Sequence, residues 1–172
     1  MSKYHKNISS AMSNKMLQIR KRNLRKSFQD FSQQEHRLEQ VAEYNKIIFI
    51  DDSKSQSVNA TYFALKSLRK PIVWIVGGDD VATDYTELLP LVRLKVESII
   101  MIGKDNFKLH SVFDSEVKEI YEVKSMSDAV NLAKSLSYKG TTVLLSPACK
   151  PDDLYASAEQ RGELFKQAVL KL

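Results

Sequence analysis

Apolar and polar positions alternate along the chain in two distinct rhythms. From Ile8 to Phe31 the apolar residues Met12, Met16, Ile19, Leu24, Phe28 and Phe31 recur every three to five positions, which predicts one or two amphipathic helices. From Leu38 to Ile50 the pattern becomes β-like, and Ile47-Ile48-Phe49-Ile50 stops abruptly at Asp51-Asp52-Ser53. A helix is predicted over Val58–Leu68, an apolar β-branched strand over Pro71–Val76 ending at Gly77-Gly78, and a helix over Tyr85–Val96. Ser98–Ile102 is a strand closed by Gly103. Asp105–Phe113 is a short helix, Val117–Val123 a strand and Met126–Leu136 a helix, with Ser125 as cap and Asp128 in the capping-box position. Thr141–Leu145 is a further strand, and a long helix is predicted over Asp152–Leu172.

Apolar strands alternating with amphipathic helices predict an α/β domain: a mostly parallel sheet with helices on both faces, preceded by basic N-terminal helices. Ligands of such sheets bind at the carboxyl ends of the strands. That places Asp51-Asp52-Ser53-Lys54, Gly77-Gly78-Asp79-Asp80, Gly103-Lys104 and Ser146-Pro147 on the candidate face.

Charge sharpens this division. The 172 residues carry a net charge of +5, yet the first 30 hold eight Lys and Arg against Asp30 alone, so the remainder is slightly acidic. A single cysteine excludes an internal disulfide, and no apolar run reaches the ~20 residues that cross a bilayer. A cytoplasmic protein without a membrane partner is the expectation. The basic helices admit a nucleic-acid or acidic-surface partner, although a charge run is usually a solvated face, and this reading ranks last.

The local chemistry leaves alternatives open. Gly77-Gly78 could bring backbone close to a phosphate or simply make a tight strand-to-loop turn, and no phosphate-loop pattern accompanies it. Asp51-Asp52-Ser53-Lys54 could hold a hydroxyl, a cation or an anion, or could cap the following helix. Glu35-His36-Arg37-Leu38-Glu39 reads locally as a solvated turn. His5, His36 and His110 are too scattered to predict a metal site, and Cys149 reads as a small buried hydrophobe. No nucleophile with an adjacent base is evident, so no catalytic residue is assigned.

Taken together, Glu35-His36-Arg37-Leu38-Glu39, Asp52-Ser53-Lys54, Gly77-Gly78-Asp79, Leu144-Leu145-Ser146-Pro147-Ala148-Cys149 and Arg161-Gly162-Glu163-Leu164-Phe165 resemble, in order and spacing, the D-glutamate-adding branch of the peptidoglycan-building Mur ligase family. Thr61-Tyr62-Phe63 and Val73-Trp74-Ile75 are closest to its Bacteroidetes form. The resemblance implies that residues 1–37 correspond to the last helices of the family's central domain and residues 38–172 to its Rossmann-like C-terminal domain. Family enzymes use ATP to turn a muramoyl-alanine carboxylate into an acyl phosphate, which the amine of D-glutamate attacks. The central domain supplies the phosphate loop and magnesium ligands, and the C-terminal domain closes over ATP and holds the amino acid. Nothing in these residues resembles that loop, so ATP and magnesium are expected only where a central domain is supplied, and no ligase activity is expected of these residues alone.

By the same resemblance Arg37 and Asp52 face ATP and Lys54 faces the amino acid. Several positions depart from the family. A threonine that touches D-glutamate is Gln56, the lysine after the Gly-Gly-Asp motif is Val81, a serine and a leucine are Pro151 and Asp152, and an aromatic residue is Ala158. These changes favour a non-catalytic paralogue or binding module over a fragment of an active ligase. A Mur ligase central domain, or another protein docking on the N-terminal helices, is the implied partner.

Overall fold

The computed structural model describes residues 34–77, 83–151 and 154–172. The expected basic helices within 1–33, together with Gly78, Asp79, Asp80, Val81 and Asp152, lie outside the described residues. Contacts divide the chain between Glu35 and His36, and the fold below is that of the second unit.

Six strands form one sheet: β1 (Glu39–Tyr44), β2 (Ile47–Asp51), β3 (Ile72–Val76), β4 (Val96–Ile102), β5 (Glu119–Val123) and β6 (Thr142–Leu145), in the spatial order β1-β2-β6-β3-β4-β5. The pairings β2/β6, β6/β3, β3/β4 and β4/β5 are parallel. Only β1 runs antiparallel, because Asn45 and Lys46 take left-handed backbone (φ 51° and 65°) and turn the chain straight back into β2. The β-rich stretch expected over Leu38–Ile50 is thus a hairpin added to the edge of a parallel sheet.

The helices are α1 (Val58–Ser67), α2 (Leu89–Lys95), α3 (Phe107–Phe113), α4 (Met126–Leu136) and α5 (Ala158–Leu170). Strand period two sends alternate residues to opposite faces. Ile72, Trp74, Val76, Ile99, Met101 and Leu144 pack on one side with Leu65, Val92, Leu109 and Phe113 of α1, α2 and α3. Val73, Ile75, Ile100, Val143 and Leu145 pack on the other with Ala129, Val130 and Phe165 of α4 and α5. Trp74 meets Phe113 edge-on at 5.6 Å, and both are fully buried. Burying each such side chain contributes about 1.5–3 kcal/mol.

Two boundaries differ from the sequence reading. The helix expected over Tyr85–Val96 begins as a 3-10 turn, Thr86–Leu88, becomes α-helical only at Leu89 with Pro90 in its first turn, and runs directly into β4 at Val96. The helix expected from Asp152 starts at Ala158, where Ser157 accepts from Gln160 N at 3.1 Å and fixes the start. The predicted cap of α4 is present: Asp128 N donates to Ser125 Oγ at 3.1 Å, and that hydroxyl donates to Asp128 Oδ2 at 2.6 Å.

Candidate functional site

Three segments distant in sequence meet at the carboxyl ends of β2, β6 and β3: the connector His36–Leu38, the turn Asp51–Ser55, and Ser146–Cys149. The connector bends sharply, with His36 and Leu38 both left-handed (φ 65° and 46°), which costs an L-residue about 1–2 kcal/mol and persists only where other contacts enforce it. His36 Nδ1 lies 2.7 Å from Asp51 Oδ2, His36 N donates to Glu39 Oε2 at 2.8 Å, and Lys54 N donates to His36 O at 3.1 Å. Leu38 N donates to Asp52 Oδ1 at 3.3 Å.

Asp52 is the junction of the cluster and is only 3% exposed. Its Oδ2 accepts from Ser146 Oγ at 2.8 Å, Ser146 Oγ lies 2.8 Å from Thr61 Oγ1, and Trp74 Nε1 donates to Ser146 O at 2.8 Å. Burial pushes the Asp52 carboxyl up to about 6, against the hydroxyls of Ser55 and Ser146 and the Leu38 amide, which favour the carboxylate; the neighbouring charge of Asp51 raises it further.

Helix α5 closes over the cluster. Arg161, 2% exposed, donates through Nη2 to Ser53 O (2.9 Å) and Cys149 O (3.2 Å). Gly162 lets the helix come close, since a Cβ there would lie 2.3 Å from His36 Nδ1, 2.3 Å from Ser53 Oγ and 2.6 Å from Asp51 Oδ2. Lys54 Nζ sits 3.6 Å from Glu159 Oε1, with its side chain 21% exposed. Gly77 (φ 149°) fits the tight-turn reading: a Cβ there would fall 1.8 Å from Ile102 O. Cys149 is buried and its Sγ donates to Gly77 O at 2.7 Å.

The structure thus brings Arg37, Asp52 and Lys54 to one edge, but in different settings. Arg37 is half-buried, Asp52 faces inward with both oxygens engaged, and Lys54 reaches the rim. Among the altered positions Gln56 is exposed, Pro151 is half-buried and Ala158 is 2% exposed in the first turn of α5; Val81 and Asp152 lie outside the described residues. A cavity of about 10 Å³ at this edge, lined in part by Gly77, Pro147, Tyr155 and Arg161, has room for one water.

Sequence reasoning missed two features. The Thr61–Ser146–Asp52 chain spans 94 residues and has no local signature. His36, Glu39 and Asp51 bring one imidazole nitrogen and two carboxylates within 4.8 Å of one another, a set that counting only histidines and cysteines does not find. Its atoms are already committed: His36 is bonded to Asp51, and Glu39 Oε2 is 3.0 Å from Lys166 Nζ. This set is a buried hydrogen bond beside an ion pair, with its ligand atoms already engaged by groups of the chain itself.

The family described as Mur ligase, glutamate ligase domain matches residues 36–149. Over 165 residues the chain is 47% identical to the UDP-N-acetylmuramoylalanine–D-glutamate ligase of Christiangramia forsetii, covering 96% of this chain and 37% of that protein. It is 41% identical to the ligase of the same description from Porphyromonas gingivalis, over 100% of this chain and 38% of that one. The chain therefore spans less than two-fifths of the length of these relatives. In fold it is similar to a murein peptide ligase from Psychrobacter arcticus (TM-score 0.54, 15% identity, 80% of this chain and 29% of that one) and to a UDP-N-acetylmuramate-alanine ligase from Thermotoga maritima (TM-score 0.50, 16% identity, 83% and 31%). With the matched stretch running from the His36 connector to Cys149, more than half of the chain, the chain belongs to the Mur ligase family as its C-terminal, glutamate ligase domain.

Proposed function

We propose that these 172 residues form a ligand-closing module that has kept the family's scaffold but not its recognition of D-glutamate. One observation carries this reading: Lys54, the lysine that the family resemblance directs at the amino acid, is already paired with Glu159 at 3.6 Å, while the position of the family's second lysine is Val81. A partly exposed ion pair contributes about 0–1 kcal/mol, whereas even millimolar affinity requires about 4 kcal/mol. Gln56 and Pro151 replace hydroxyl donors, and Pro151 brings no backbone N–H either. On this reading residues 1–37 are central-domain helices, the partner is a Mur ligase central domain in the cytoplasm, and ATP and magnesium are held with that domain. Arg37 and Asp52 face the nucleotide, Asp52 after giving up its bond to Leu38.

A second reading, a piece of a working D-glutamate-adding ligase, draws on the 37–38% share of the relatives' length that the chain spans. D-glutamate binding separates the two. Chemical-shift titration of the purified chain with D-glutamate is expected to show no saturation up to millimolar concentration. Saturable sub-millimolar binding, abolished by Lys54→Ala, would refute the first reading in favour of the second.

A further inference from the structure

We propose that Thr61 and Ser146 are positioning residues: together they form an oriented hydroxyl relay that sets the direction of the Asp52 carboxylate and, through it, holds Leu38 against the carboxyl edge of the sheet. The relay stands apart from the question of which ligand the cluster meets, because each of its bonds lies within this chain.

The donor order follows from what each atom can do. An ionised carboxylate only accepts, so Ser146 Oγ must donate its single proton to Asp52 Oδ2 (2.8 Å). The 2.8 Å contact between Ser146 Oγ and Thr61 Oγ1 is then a donation from Thr61. Thr61 is fully buried in the first turn of α1, where its hydroxyl forgoes the usual local bond to the preceding turn and reaches across 85 residues instead. The backbone of Ser146 is pinned, since Trp74 Nε1 holds its carbonyl and its own amide donates to Ile75 O at 3.1 Å, and its hydroxyl is oriented by Thr61 and Asp52. Asp52 is fixed in the same manner: its amide donates to Leu145 O at 2.8 Å, and its Oδ1 receives Leu38 N. The bonds run in one sense from α1 through β6 to the connector, and each strengthens the next. The charged group that acts on Asp52 is Asp51, itself bonded to His36, and neither is touched by the substitutions below.

Carbon-13 titration of the Asp52 carboxyl, with amide exchange at Leu38, in the full chain without ligand tests the relay. Ser146→Ala removes the donor to the carboxylate and is expected to raise the Asp52 midpoint by about 1–2 pH units, the equivalent of one hydrogen bond to a charged group. Thr61→Val keeps the shape and removes the first donor, so the expected rise is smaller, a few tenths of a pH unit. In both variants Leu38 exchange quickens relative to amides of β3, and Thr61→Ser restores the native values. A folded Thr61→Val chain whose Asp52 midpoint and Leu38 exchange superimpose on the native ones would overturn the proposal. If Thr61→Val does not fold, an unmoved midpoint in Ser146→Ala would do so.

Discussion

Gly162→Ala sets local propensity against packing, with opposite signs. In a helix interior alanine is favoured over glycine by about 0.8–1.0 kcal/mol, so an isolated α5 would be strengthened. In the folded chain the added methyl would lie 2.3 Å from His36 Nδ1, 2.3 Å from Ser53 Oγ and 2.6 Å from Asp51 Oδ2. None of these can retreat cheaply. His36 and Asp51 are 5% and 0% exposed and bonded to one another at 2.7 Å, and Ser53 is fully buried. Either α5 lifts, pulling Arg161 Nη2 from the carbonyls of Ser53 and Cys149, or the His36–Asp51 contact opens. Overpacking costs about 1–3 kcal/mol, and leaving a buried polar group without its hydrogen-bond partner costs about 1–3 kcal/mol. After the propensity gain the expected net loss is about 2 kcal/mol, a fall of about 1 M in the urea midpoint for a slope near 2 kcal/mol/M. Trp74 reports the transition, being the chain's single tryptophan and fully buried. A variant whose midpoint is unchanged or higher, with the same slope, would refute the packing argument and leave propensity in control.

Two further outcomes are expected. Because burial holds the folded Asp52 carboxyl at about 6, above its ordinary 3.8, the stability it contributes is full below 3.8 and lost as pH rises through 6; Asp52→Asn should therefore gain on the native chain by about 2 kcal/mol between pH 4 and 7, and parallel stability curves would contradict this. Lys95 Nζ donates to the carbonyls of Leu65, Lys66 and Leu68 at 2.8, 2.9 and 2.6 Å, tying α2 to the C-terminus of α1, so Lys95→Met should cost about 1–2 kcal/mol and lower the melting temperature by about 3–6 °C, with no change in melting showing the contact to be idle.

The alternating faces of the sheet were legible because β3 and β4 are buried on both sides and so read as continuous apolar runs, while α4 announces itself with Ser125 and Asp128. The N-terminal limit of α5 was not, since Asp152 and Ser157 are equally good caps by type and only the observed bond to Gln160 N distinguishes them. At the site, the sequence placed Asp52 and Lys54 at a strand end but could not say that one turns inward and the other outward. That orientation depends on Ser146 and Thr61, which reach Asp52 only after the strands are assembled. Arg161 and Gly162 were visible solely as part of a family pattern. Their roles, a buried guanidinium over two carbonyls and a helix seated where a methyl would collide, depend on tertiary contact.

The strand order has a consequence in time. β6 is the last strand to be made, yet it lies between β2 and β3, which do not touch each other without it. A chain emerging from the ribosome therefore holds two half-sheets with facing, unbonded edges until residues 142–145 arrive to fill the slot. Such long-range closure is intrinsically slow and leaves strand edges open to wrong partners while it waits. Ser146, the donor to Asp52, lies one residue beyond that slot, so the bond that orients the carboxylate waits for the sheet to be sealed, and α5, made later still, closes over it last.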